Sequence, residues 1–205
     1  MRVSSQKSSA AAEPRAPQRE RGRARVAALL AAATEVFAEK GYDAATMTEI
    51  AARARASIGS LYQFFPTKEL LAEALHAANA EALTAMLEEL GPRLAGQPAE
   101  VLADVLFGEF SSFLATHPAF VALADRRSID PKRKKATRQV LRGQIVKLLT
   151  AAKPPVPRQR AQVLAIVILH LLRVAVAIEG EADLDGRSAV LDEIRLMLGH
   201  HLSGR

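Results

Sequence analysis

Six side chains able to hydrogen-bond lie between residues 57 and 68: Ser57, Ser60, Tyr62, Gln63, Thr67 and Lys68. They offer donation to phosphate oxygens and base edges, not proton transfer or nucleophilic attack. Lys68 follows Thr67, which reads as a helix N-cap, and a helix N-terminus with a cation beside it stabilises a phosphate. Gln63 can pair with adenine N6 and N7, whereas serine hydroxyls discriminate less between bases. Gly59 removes a side chain where backbone is expected to approach backbone. Thr46 and Thr48 precede this set, and Arg55 stands in the turn before it.

These residues need two short helices to position them. Thr46 is an N-cap, and Glu49, three residues on, completes a capping box. The helix that follows, Met47 to about Arg53, turns Ile50 and Ala51 inward. Ser57 is a second N-cap and opens the helix Ile58 to Phe64. Pro66 ends that helix, because a residue before proline is pushed out of the helical region. Leu61 and Phe65 lie four apart and close a small core against Phe37 and Ile50. Upstream, Val26, Leu29, Leu30, Ala33 and Phe37 repeat on one helical face. Gly41 ends that helix by taking a left-handed conformation. Two short helices joined by a tight turn form the layout that inserts its second helix into the DNA major groove. The tract at 46–68 therefore points to double-stranded DNA as a partner.

Composition narrows the remaining classes. The 205 residues fit one domain or two small ones, and 49% hydrophobic content suffices for a core. The net charge of +6 is concentrated at the start. Residues 1–25 hold seven basic and two acidic residues, a surplus of five. Residues 1–20 have little to bury and read as a disordered basic arm, an electrostatic footprint for phosphate. The absence of cysteine excludes disulfides and thiolate chemistry and suits a reducing cytoplasm. No nucleophile–base pair, phosphate-cradling glycine loop or metal-ligand spacing is present, so neither an enzyme nor a metal or cofactor is expected. The most apolar stretch, Val163 to Ile178, is interrupted by His170 and Arg173 and is shorter than the ~20 residues of a membrane span.

Beyond Thr67 the periodicity is helical throughout. The expected helices are Lys68 to Leu90, stopped by Gly91-Pro92, then about Ala99 to Thr116, and a short one after Pro118. About Pro131 to Ala152, Arg158 to Glu179 and Gly186 to about Leu202 follow. The fold class is all-α. The domains are the arm 1–20, a helix-turn-helix domain 21–66 and a helical domain 67–205. The helix 158–179 is apolar on too many faces for one helix in a small domain, and a second chain would cover the surplus. With a stripe over 190–198 it predicts a homodimer through helices near 158–179 and 187–202. A two-fold dimer reads a two-fold operator.

The run from Gly41 to Ala51, followed by Ser57 to Leu71, closely resembles the TetR/AcrR family of transcriptional regulators over about residues 24–71. Gly59-Ser-Leu-Tyr-Gln-Phe-Phe-Pro-Thr-Lys68 is close to the family signature. The resemblance implies a three-helix DNA-binding domain and a larger C-terminal domain that binds a small ligand and dimerises through its last two long helices. It also implies a repressor released from its operator by that ligand. Thr48, Ser57, Ser60, Tyr62, Gln63 and Lys68 match positions that contact DNA in similar proteins. The chain departs at Arg55, where glycine is common, and at Ala56, where valine is usual. A non-glycine residue with positive φ is uncommon and mildly strained.

The C-terminal two-thirds carries fewer signals. Phe107, Phe110, Phe113 and Phe120 cluster with His117, which suits an apolar ligand pocket and equally suits an ordinary core. His170 and Arg173 stand three apart on an apolar helix, either to meet a polar ligand or to be satisfied in a core or dimer seam. Lys132 to Lys135 reads as a solvated basic face, with contact to DNA or an anionic ligand as the alternative. The expected function is a ligand-responsive repressor acting as a homodimer on a palindromic operator. The alternative is an architectural or nonspecific DNA-binding protein dominated by the arm. The effector is an unknown small molecule.

Overall fold

The computed structural model describes residues 15–123, 130–181 and 183–203. Among them the chain forms nine α-helices and no strand, as the periodicity predicts. They are α1 (Arg15–Ala44), α2 (Met47–Arg53), α3 (Ile58–Phe64), α4 (Lys68–Leu94), α5 (Ala99–Thr116), α6 (Pro118–Leu123), α7 (Pro131–Thr150), α8 (Arg158–Gly180) and α9 (Arg187–Ser203).

Three local expectations change. Residues 1–14 of the expected arm lie outside the described residues, but 15–20 are helical and belong to α1. Pro17 sits in the first turn, where its missing N–H removes no intrahelical bond. Gly41 interrupts α1 at φ 73°, ψ 169°. That is not the left-handed helical region but the extended positive-φ region, open essentially to glycine alone. Gly91-Pro92 does not stop α4, which continues to Leu94. Proline so close to a C-terminus forfeits a single ladder bond. Burial of Leu90 and Leu94 at 1% and 4% exposure holds the last turn in place. Gly96, at φ 76°, then turns the chain away.

The helices surround two apolar cores. The first gathers Leu29 and Phe37 of α1, Ile50 of α2, Leu61 of α3 and Phe65. It also takes Leu71 and Leu75 from α4 and Ala119 and Leu123 from α6. The boundary expected at Pro66 therefore falls inside a continuous core, and the first turns of α4 pack with the N-terminal helices. The second core joins the end of α4 to α5, α7, α8 and α9, with α5 packed on α9 and α7 on α8.

Two elements belong to both cores. α4 gives Leu75 to the first and Leu83 to the second. Between them Asn79 is 5% exposed, and its Nδ2 has no hydrogen-bond partner among the described residues. α6 turns Ala119 and Leu123 to the first core and packs Phe120 against the second. The end of α8 closes on α6 as well: a Cβ at Gly180 would lie 3.2 Å from Val121 Cγ1.

α8 is longer than the apolar stretch read from the sequence. By length and composition its 23 residues suffice to cross a membrane, but half of its most apolar window is buried within the fold. It leaves Val163, Ile166, Val167 and Val174 exposed. These follow i, i+3, i+4 and i+11, one face of the helix. On α9 the expected stripe divides. Leu191, Ile194 and Leu198 pack inward, while Val190, Leu196 and Met197 are exposed.

Candidate nucleic-acid interface and effector cavity

Local chemistry builds the α2–turn–α3 unit. The Thr46 hydroxyl accepts from Glu49 N at 3.2 Å, and the Glu49 carboxylate accepts from Thr46 N at 3.1 Å and from the hydroxyl at 2.9 Å. Both halves of the capping box are formed. Thr46 is thereby committed to the cap. Lys40 also donates to Glu49. The Lys40 ammonium, with the Thr46 donors, holds the Glu49 carboxyl down to about 2 from an ordinary value of 4.5. The Arg53 guanidinium, bridging Glu35 and Glu39 of α1, lowers the Glu39 carboxyl too. These ion pairs are exposed and contribute little stability by themselves. Their geometry fixes α2 on α1.

A carboxyl lowered by folding stabilises the folded state above its unfolded pKa, and that contribution disappears as pH falls. Stability of the native chain is therefore expected to drop between pH 4.5 and about 2. Denaturant unfolding across that window, on native chain and Glu49→Gln, checks this. The variant is expected to show a shallower fall, and identical slopes would exclude the role of Glu49.

The turn keeps Arg55 at φ 49°, so the arginine occupies the conformation for which glycine is suited. Its side chain is exposed. The Ser57 hydroxyl accepts from Ser60 N at 3.1 Å and caps α3. Only Leu61 of α3 is buried. Tyr62 is 47% exposed, Thr48, Gly59 and Gln63 are exposed, and Ser60 is half-buried. Nothing within the protein lies within 4 Å of a Cβ built at Gly59, so the expected close backbone approach is absent. The space there opens outward.

Lys68 departs from its expected role. Its ammonium donates to the carbonyls of Tyr42, Asp43 and Ala45 at 2.9, 3.2 and 2.9 Å. It also lies 4.6 Å from the centre of the Tyr42 ring. An ammonium has three N–H groups, and all are engaged. The side chain reaches back into the junction between α1 and α2 instead of facing outward. Two exposed apolar residues of α3, Ile58 at 40% and Phe64 at 39%, escaped the sequence reading. Ile58 lies three residues before buried Leu61, so periodicity alone would place it inside.

The second feature is a cavity of about 220 Å³, open on one side and lined by α4, α5, α6, α7 and α8. Of the expected ligand residues, Phe110, Phe120 and Arg173 line it. Phe107 and Phe113 belong to the second core and do not line it. His117 stacks on Phe113 at 4.0 Å and bonds at the end of α5. His170 lies on the exposed apolar stripe of α8, its Nδ1 2.8 Å from Ile166 O. Sequence reasoning missed His76 of α4 and Arg138 of α7, both cavity residues, while Lys134 of the basic run 132–135 also lines the cavity. Burial, with the Lys134 charge nearby, pushes the His76 imidazole below its ordinary 6.5. Among the described residues no group of three or more potential metal ligands is present.

A three-helix unit with an exposed, polar, short third helix, set on a helical body that contains a cavity, is a helix-turn-helix DNA-binding module joined to a helical domain. Residues 29–75 match the family described as bacterial regulatory proteins, tetR family. A TetR-family transcriptional regulator from Streptomyces coelicolor is 25% identical, with 87% of this chain and 97% of that chain covered, at a TM-score of 0.62. FadR from Bacillus subtilis, in complex with stearoyl-CoA, shares the fold at 18% identity, 87% and 98% coverage and a TM-score of 0.63. NalD of Pseudomonas aeruginosa, the secondary repressor of the MexAB-OprM multidrug efflux pump, shares it at 20% identity, 89% and 98% coverage and 0.57. No curated relative matches the sequence. Residues 29–75 carry the DNA-binding domain of the bacterial tetR regulatory proteins, and the chain has the fold and domain of a DNA-binding transcriptional regulator similar to that family.

Proposed function

We propose that the protein is a cytoplasmic, ligand-responsive repressor that binds a palindromic operator as a homodimer. The observation that carries the reading is the double membership of α4 and α6. Both supply the core that holds α2 and α3, and both line the cavity through His76, Ala80, Leu83 and Phe120. Occupancy of the cavity thus bears on the elements that aim the recognition helix. A ligand shifts that equilibrium only by its differential affinity for the two arrangements. NalD is a repressor and FadR holds an acyl-CoA, which supports the reading by likeness of fold.

The DNA-facing residues of this reading are Thr48, Arg55, Ser57, Gly59, Ser60, Tyr62 and Gln63, joined by exposed Ile58, which can meet a thymine methyl. Thr46 and Lys68 act as supports for that surface. The dimer forms through the exposed apolar faces of α8 and α9, and no catalytic role is assigned.

Selection of bound sequences from a random DNA pool at near-physiological salt tests the proposal. The expected result is a palindromic motif, with Gln63→Ala altering base preference and Tyr62→Phe weakening every sequence about equally. Recovery of no motif, with binding that vanishes as salt rises, would favour nonspecific binding driven by the basic N-terminal segment.

A further inference from the structure

We infer that the cavity between α4 and α8 takes a small organic monocarboxylate, with its carboxylate on Arg138 and Arg173 and its apolar body between Phe110 and Phe120. The inference rests on the effector-binding reading above and names the chemistry of the effector. Its first support is charge. Half-buried Arg138 comes from α7 and exposed Arg173 from α8, so two arginines on different helices line one cavity, with Lys134 beside them. Among the described residues neither has a carboxylate partner, and no acidic side chain lines the cavity. Guanidinium groups match a carboxylate with paired, charge-assisted hydrogen bonds. A ligand without an oxygen acceptor would displace water from the half-buried Arg138 without replacing its hydrogen bonds, which is unfavourable.

The second support is the apolar part of the lining. Phe110, Phe120, Leu141 and Leu169 contribute to it, beside the polar His76, Lys134 and Thr137. The Phe120 ring stands edge-on to Phe110, with centroids 6.5 Å apart. A bare inorganic anion would leave this wall uncovered, so the ligand carries an apolar body. Size then limits that body. A dry cavity of ~150 Å³ admits benzene, and the 220 Å³ here adds room for a carboxylate and a few carbons. One aromatic ring or a medium-length chain fits within it, whereas most of a sixteen- or eighteen-carbon chain would lie outside the space.

Calorimetric titration of the full-length protein, without DNA, tests this with phenylacetate and octanoate, their neutral amides, and palmitate. Either carboxylate is expected to bind about ten- to a hundredfold tighter than its amide. Arg138→Gln with Arg173→Gln is expected to abolish that preference while the unfolding temperature stays near native. Equal binding of acid and amide, no binding of either carboxylate, or palmitate binding tightest would overturn the inference. A preference surviving in the folded double variant would overturn the assignment to these arginines. A parallel titration of protein bound to its selected DNA separates the two readings. Carboxylates that bind the cavity and leave DNA bound would uphold this inference and sink the ligand-responsive reading. Release of DNA by neutral molecules alone would do the reverse.

Discussion

Val167→Glu combined with Met197→Glu yields a folded monomer whose affinity for operator DNA is lower by about 100-fold or more. The two residues are 40% and 63% exposed, so the charges cost the isolated chain little. In a dimer they face another apolar surface, where an unpaired carboxylate is strongly unfavourable. Losing the partner removes the second half-site contact, which is worth about 10²–10⁴ in effective affinity when two recognition helices are linked. Sedimentation velocity reads the assembly and titration of the selected DNA reads the affinity. A double variant that remains dimeric would refute the assignment of the α8 and α9 faces.

Lys68→Met should lower stability by about 2–4 kcal/mol and weaken DNA binding without changing its dependence on salt. The ammonium ties together three carbonyls at the end of α1, and hydrogen bonds to charged groups contribute about 1.5–3 kcal/mol each. Water reaching the exposed Asp43 region offsets part of the loss. A phosphate-binding lysine behaves differently, since its removal reduces the salt slope by about one and leaves the fold intact. Melting curves and DNA titrations at several salt concentrations separate the two. A lower slope at unchanged melting temperature would return Lys68 to the DNA surface.

The contrast between Lys68 and its neighbours shows what the sequence could reveal. Thr46, Glu49, Ser57 and Thr67 cap helices through bonds spanning three residues, so their roles are written locally. The bonds of Lys68 span 23 to 26 residues, and only the folded junction displays them. The cavity follows the same logic. Phe110 and Phe120 stood out as part of an aromatic cluster, but Phe107 and Phe113 share that cluster and pack elsewhere. Lys134 reads as part of a solvated basic face, and Arg138 draws no notice, because nothing in their own helix indicates that α4 and α8 pack beside it. The second helix of the motif was legible for the opposite reason: its two caps and Pro66 bound it on both sides. Conversely, Gly91-Pro92 carried a strong local stop signal that burial of Leu90 and Leu94 overrode.

α4 has a mechanical consequence. Fifteen residues separate Lys68, fastened to the end of α1, from Leu83 in the cavity wall, a span of ~22 Å at 1.5 Å per residue. A rigid rod of that length acts as a lever. Tilting it by ~5° about the cavity carries its far end through ~2 Å. In the proposed two-fold dimer, two such ends would separate by up to ~4 Å, about the rise of one base pair. A displacement too small to disturb any helix would then be large enough to put two recognition helices out of step with successive turns of a duplex.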